Sequence, residues 1–196
     1  MQHFTGITSQ SLFVFNQHNI RHKAVIGVYP CEALYTSERQ ALIAQTLAVM
    51  TPAVTESLPP HYQGVDTKEK AEHWLLQRFQ DCQLLALVEQ SNQQLLGFLF
   101  VHHAIETDEN SGLKQATQHL GYLLSVPYWG CGIATELLQS YVTYCQSLGF
   151  SGVLYAGVET ANLGSIRVLQ KSGFEPDDKL STQENLFYRL NIRAMS

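Results

Sequence analysis

The residues with the clearest chemical meaning lie in one turn, Trp129-Gly130-Cys131-Gly132-Ile133-Ala134. An apolar, strand-like run from His119 to Val126 leads into it, and an amphipathic run from Ile133 to Leu148 leaves it. The first amides of a helix have no intrahelical acceptor, and the helix dipole adds partial positive charge at that end. A turn that aims several such amides at one point is a site for a phosphate or a similar anion. Gly130 and Gly132 accept torsions that other residues avoid, and they present no Cβ to an approaching ligand. Ala134 keeps the next turn small. The same glycines also suit a tight left-handed turn selected for packing alone.

Three phosphate chemistries compete for this turn. A nucleotide P-loop ends in Gly-Lys-Ser/Thr, which is missing here. A dinucleotide fingerprint needs a third glycine at the opening of the first βαβ unit, whereas this turn has Thr135 there and lies late in the chain. The remaining pattern is Arg/Gln-x-x-Gly-x-Gly/Ala, the pyrophosphate loop of the GNAT acetyltransferase superfamily, with Trp129 in the Arg/Gln position. A second stretch, Asn162-Leu-Gly-Ser165-Ile-Arg-Val-Leu-Gln-Lys-Ser-Gly173-Phe174, resembles the Asn-x-x-Ser-x-x-x-Leu-x-x-x-Gly-Phe signature of the RimJ/RimL-like branch. Tyr128 to Glu136 is similar to the Tyr-Trp-Gly-x-Gly-x-Ala-Thr-Glu turn common in that branch. The specific resemblance covers the last third of the chain. Before Gly97 it is one of layout only.

The resemblance implies an α/β (α+β) fold: a mixed, mostly antiparallel sheet flanked by helices and splayed between its fourth and fifth strands. It implies one acyl-CoA N-acyltransferase domain over residues 1–196, with acetyl-CoA as cosubstrate and no metal. The pantetheine arm would enter the splay and bond to the backbone of Leu124, Ser125 and Val126. Trp129, Gly130, Cys131, Gly132, Ile133 and Ala134 would supply the pyrophosphate amides. Asn162 would hold the pantetheine, and its position equally fits a helix N-cap. The implied reaction is attack of a primary amine on the thioester carbonyl through a tetrahedral intermediate. The acceptor is a protein N-terminus or a small-molecule amine.

Many members of the superfamily place a tyrosine seven residues after the Asn to protonate the departing thiolate. That position is Leu169 here, which makes Ser165 the candidate for hydrogen-bonding the sulfur. His119 and Glu159 are the candidate bases: His119 sits on the strand before the turn, where an imidazole titrates near neutral pH and could face the amine, and Glu159 ends the next strand. Both also suit ordinary surface polarity. Cys131 sits where a helix N-terminus favours thiolate, so an acyl-cysteine route is an alternative to a purely main-chain role. His102 and His103 are adjacent and so point to opposite faces of a strand. His61, Tyr62 and Trp74 fall in the stretch expected to form the acceptor wall, with core packing the simpler role for Trp74. From another class of function, a non-catalytic acyl-CoA-binding sensor would keep the cradle without a base.

These groups need elements to position them. Leu42, Ile43, Leu47 and Met50 recur at helical spacing, which predicts a helix over Ser37–Met50 capped by Ser37. Thr51–Gln63 carries Pro52, Pro59 and Pro60 and reads as loop. A helix over Thr67–Gln80, capped by Asp66 or Thr67, would bury Ala71, Trp74, Leu75 and Phe79. Ser11–Phe15 reads as a first strand. Gln83–Glu89 and Leu95–His103 read as a hairpin, Ile105–Ala116 as a polar loop and Gly152–Val158 as a buried strand. Leu163–Ser172 reads as a short helix closed by Gly173, and Leu186–Leu190 as closing strand. The Ile133–Leu148 helix would bury Ile133, Leu137, Leu138, Tyr141, Cys145 and Leu148, with Gly149 as its stop.

The whole chain, 196 residues and 45% hydrophobic, suffices for one substantial core. A net charge of −5 argues against a nucleic-acid binder. Cys31, Cys82, Cys131 and Cys145 form no Cys-x-x-Cys pair, so they point to free thiols rather than zinc. No leader-like N-terminus and no bilayer-length apolar run is present, which predicts a cytoplasmic protein without a membrane partner. A homodimer stays an open alternative to a monomer.

Overall fold

The computed structural model describes residues 3–194 apart from 6, 20–21, 57 and 108–111; the side chains at 18–19, 22–23 and 61 also lie outside the description. The strands are β1 Phe13–Asn19, β2 His22–Pro30, β3 Gln83–Glu89, β4 Gln94–Thr107, β5 Lys114–Leu124, β6 Gly152–Glu159, β7 Glu175–Pro176 and β8 Asn185–Ile192. The helices are α1 Cys31–Val49, α2 Pro52–Thr55, α3 Lys68–Asp81, α4 Ile133–Ser147 and α5 Leu163–Lys171. The strands form one sheet of 8 in the order β1-β2-β3-β4-β5-β6-β8-β7. β1–β2, β2–β3, β6–β8 and β7–β8 pair antiparallel, whereas β5–β6 is parallel. A strand–helix–strand crossover through α4 permits that parallel pair. This is the mixed, mostly antiparallel architecture expected from the sequence.

The parallel ladder runs from Ala116↔Gly152 to Leu120↔Ala156 and ends there, although β5 continues to Leu124 and β6 to Glu159. The splay that the resemblance implies would open here. Its strands are β5 and β6 rather than fourth and fifth because β2 has no counterpart among the predicted elements. β2 pairs with β1 on one side and β3 on the other, and Ile26 through Tyr29 are all buried there, a continuous run without the alternation that marks a half-buried strand.

The chain divides into two compact units, residues 1–100 with 122–133 and residues 101–121 with 134–196. In the first, Leu34, Leu42, Leu75 and Phe98 are fully buried, and α1 and α3 supply much of the core with Trp74. Each such side chain contributes about 1.5–3 kcal/mol of burial. In the second, α4 buries Leu137, Leu138, Tyr141 and Cys145, and β6 buries Val153 through Ala156.

Several boundaries differ from expectation. α1 begins at Cys31 and is interrupted at Glu38 (φ −135°, ψ 37°). Ser37 Oγ donates to the Ala33 carbonyl at 2.9 Å, so it is an in-helix residue beside a kink and not the cap. The proline-rich segment holds α2 and a 3₁₀ turn over Pro60–Tyr62, each opened by a proline whose missing N–H costs nothing there. Residues 105–107 and 114–116 of the predicted 105–116 loop are strand: their polarity reports exposed strand ends, and even Ile105 is 75% exposed. Leu148 lies past the end of α4 and is 67% exposed, while Gly149 (φ 77°) stops the helix as expected. Thr67 caps α3 as expected, its Oγ1 accepting from the Lys70 amide at 3.2 Å.

Candidate functional site

The turn is built in steps. The Ser125 amide donates to the Leu96 carbonyl at 2.8 Å, which ties the end of β5 to β4. The Ser125 and Val126 carbonyls then accept from the Tyr128 and Trp129 amides at 3.0 and 3.1 Å, closing a 3₁₀ turn over Val126–Tyr128. Gly130 (φ 68°) and Gly132 (φ 84°) both lie in the left-handed region that favours glycine. A Cβ at Gly130 would meet open space, and one at Gly132 would meet Gln17 Nε2 at 3.3 Å. Ile133 and Ala134 are buried and root the first turn of α4. The sequence-predicted turn thus opens directly into a 15-residue helix whose first amides lack intrahelical acceptors.

Cys131 is buried, and its thiol donates to the Trp129 carbonyl at 3.5 Å. Its own carbonyl accepts from the Gln17 side-chain amide. Gln17 is 4% exposed and lies on β1. Sequence reasoning missed it, since a single glutamine in an N-terminal strand belongs to no motif.

Trp129 is 49% exposed, and its indole N–H donates to the Leu124 carbonyl at 2.7 Å. The carbonyls of Leu124, Ser125 and Val126 therefore all have partners within the chain. Each keeps a second lone pair, so these bonds crowd an added backbone contact without abolishing it.

In the second unit His119 Nε2 lies 2.9 Å from Glu106 Oε1, and the two side chains are 38% and 41% exposed. A carboxylate only accepts, so Nε2 donates here, and whenever the imidazole is neutral its lone pair is on Nδ1. The imidazole stacks on Tyr155, with ring centroids 5.1 Å apart and planes 25° from parallel. His119 and Tyr155 are register partners, one pair before the ladder ends. Gln118, the preceding residue, points to the other face, where Tyr141 of α4 donates to it at 2.8 Å. Burial pushes the Tyr141 phenol far above its ordinary range, so it stays a donor. Glu106 and Tyr155 were not singled out from sequence. Only cross-strand register brings them to His119.

Glu159 is exposed at the end of β6, four residues beyond Tyr155 on the same strand face. That spacing is about 13 Å along a strand, so the two candidate bases do not form a pair. Asn162 Oδ1 accepts from the Ser165 amide at 3.0 Å and caps α5. The Ser165 bond uses its main chain. Leu169 is buried at 2% exposure. Trp74 is core, packed among Tyr62, Phe98 and Phe100, and the Arg78 guanidinium sits 4.9 Å over the Tyr62 ring. His102 and His103 are both exposed. The His61 side chain lies outside the described residues. Among the described residues no group of His, Cys, Asp or Glu could hold a metal, and no helix is long and apolar enough to cross a membrane.

This chain belongs to the acetyltransferase (GNAT) domain family, whose pattern it matches over residues 36–175. That span includes β5, the turn, α4, β6 and α5. Solved structures share its fold at low identity. The GNAT-family acetyltransferase of Bacillus anthracis superposes with a TM-score of 0.63 at 15% identity, covering 91% of this chain and 98% of that one. The ribosomal-protein-S5-alanine acetyltransferase of Vibrio fischeri gives 0.60 at 15% identity, covering 91% and 96%. RimL, a ribosomal L7/L12 α-N-protein acetyltransferase solved in complex with coenzyme A, gives 0.59 at 17% identity, covering 87% and 96%. No curated protein matches the sequence.

Proposed function

We propose that this acetyltransferase moves the acetyl group of acetyl-CoA to a primary amine, and that residues 1–196 work as one acyl-CoA N-acyltransferase domain in the cytoplasm. The observation that carries this reading is the Trp129–Ala134 turn, two left-handed glycines opening directly into α4. In it the amides of residues 130–134 hold the diphosphate, the expected Trp129 amide being engaged by the Val126 carbonyl, and small size and helix-end polarity there suit an anion. The backbone of Leu124, Ser125 and Val126 guides the pantetheine, and Asn162 adds its side-chain amide while capping α5.

In the reaction a neutral amine attacks the thioester carbonyl, the C–S bond breaks, and CoA leaves as thiolate. His119 takes the proton that the amine loses, through the nitrogen that Glu106 leaves free. Ser165 donates its hydroxyl hydrogen bond to the thiolate; Glu159 is the alternative base. An α-amino group, which ordinarily titrates near pH ~8, needs only this modest assistance. That favours an N-terminal amine, as do the ribosomal-protein acetyltransferases among the structures of like fold.

Buried Leu169, at the position where other members carry an acidic tyrosine, favours a second reading: an acyl-CoA sensor without turnover. Calorimetry with CoA, followed by thiol release from acetyl-CoA over a panel of peptide N-termini and small amines, separates the two. Binding with turnover supports the enzyme. Binding without turnover on every amine supports the sensor, and no CoA binding sinks both.

A further inference from the structure

We infer that Gln17, a buried side chain on β1, is a positioning residue that orients the anion-binding amides of the turn. The inference rests on the CoA reading above. Between Lys114 and Arg167 the chain has no lysine or arginine. The turn, α4 and β6 therefore offer a diphosphate no side-chain cation, and the attraction available there is that of main-chain N–H groups and the helix end. Their direction then decides affinity.

The peptide joining Cys131 to Gly132 is weakly constrained by its own residues, because Gly132 tolerates either orientation. Gln17 Nε2 donates to the Cys131 carbonyl and holds it turned toward β1. No peptide among the described residues is cis. In a trans peptide the N–H points opposite to the C=O. The Gly132 N–H is thus aimed away from Gln17 and outward from the turn, where Gly132 is exposed. The 3.3 Å approach of Gln17 Nε2 to a Cβ at Gly132 is a second sign that the amide is seated against this peptide. With Gln17 at 4% exposure, water does not readily replace that donor.

Two variants test this. Gln17→Met keeps the volume and removes the donor, and Gln17→Glu replaces it with an acceptor facing a carbonyl. Both are assayed with acetyl-CoA and with S-acetyl-pantetheine, which has the thioester arm but no diphosphate. The expected result for Gln17→Met is a rise of about tenfold in KM for acetyl-CoA and in Kd for CoA, the scale of one charge-assisted hydrogen bond. kcat at saturation and the rate on S-acetyl-pantetheine should hold. Gln17→Glu should raise KM further. Unchanged acetyl-CoA affinity in both variants overturns the inference. So does an equal loss on both thioesters, which marks damage to the fold instead of the cradle. If the wild-type chain itself binds no CoA, the underlying functional reading has failed, and that outcome is visible before any variant is made.

Discussion

In the Trp129–Ala134 turn the working atoms are main-chain amides, whereas in the Glu106–His119–Tyr155 row they belong to side chains. The turn has its chemistry written consecutively: two glycines, a small residue and the start of a helix. The row is assembled from three strands, with His119 Nε2 2.9 Å from Glu106 and its ring 5.1 Å from that of Tyr155. A main-chain site demands particular residues at fixed spacing, because only glycine tolerates the torsions. A side-chain site demands only that strands align, and alignment leaves no local trace. The two regions should accordingly fail in different ways, one in cofactor affinity and the other in turnover.

The largest effect is expected in the row. His119→Ala should lower kcat by about two to three orders of magnitude, the usual worth of a positioned base, with the Kd for CoA unchanged by calorimetry. Glu106→Gln, which leaves the imidazole but alters its tautomer control, should lose less. A His119 variant that loses CoA affinity and keeps its turnover would dissolve the division between the regions.

Next comes the turn. Gly132→Val should weaken acetyl-CoA binding about a hundredfold, while circular dichroism and the thermal midpoint show a folded protein. The left-handed φ of 84° is strained for a β-branched residue, and the added Cβ meets Gln17 at 3.3 Å. The residue also covers the space a phosphate needs. Unaltered affinity would falsify the cradle assignment.

Ser165→Ala sharpens the comparison, because Ser165 contributes to α5 through its main chain. Its amide donates to Asn162 at 3.0 Å, and the substitution leaves that cap in place. Loss of the hydroxyl should therefore reduce kcat about tenfold with little change in KM for acetyl-CoA. Unchanged turnover would leave Ser165 as a small residue at a helix start.

The same contrast explains what could be read in advance. The turn, α4, β6, α5 and the glycine stops at 149 and 173 were legible, since apolar periodicity and left-handed glycines are local signals. β2 was not: its buried run Ile26–Tyr29 has no alternation, and its burial depends on β1 and β3 lying either side. Residues 105–107 and 114–116 looked like loop because strand ends that face solvent carry the same polar residues as turns. Gln17 and Glu106 were invisible for a common reason. Each acts on a group more than ten positions away, and a single glutamine or glutamate has no pattern until the fold supplies its partner.

The smallest expected effect concerns Trp129, where side chain and main chain meet. Its indole N–H occupies the Leu124 carbonyl, a backbone group that the pantetheine would otherwise find less crowded. Trp129→Phe keeps an aromatic face and removes that donor. If the indole competes with the cosubstrate, the variant should bind acetyl-CoA about threefold more tightly, within the net worth of one neutral hydrogen bond. If the indole instead fixes the turn, binding should weaken. Fluorescence gives a second readout, because the chain has 2 tryptophans and Trp74 is 2% exposed against 49% for Trp129. Ligand-dependent quenching of the wild type should then arise from Trp129 and vanish in the variant. Quenching that survives would trace the signal to Trp74 and remove Trp129 from the path of the pantetheine arm.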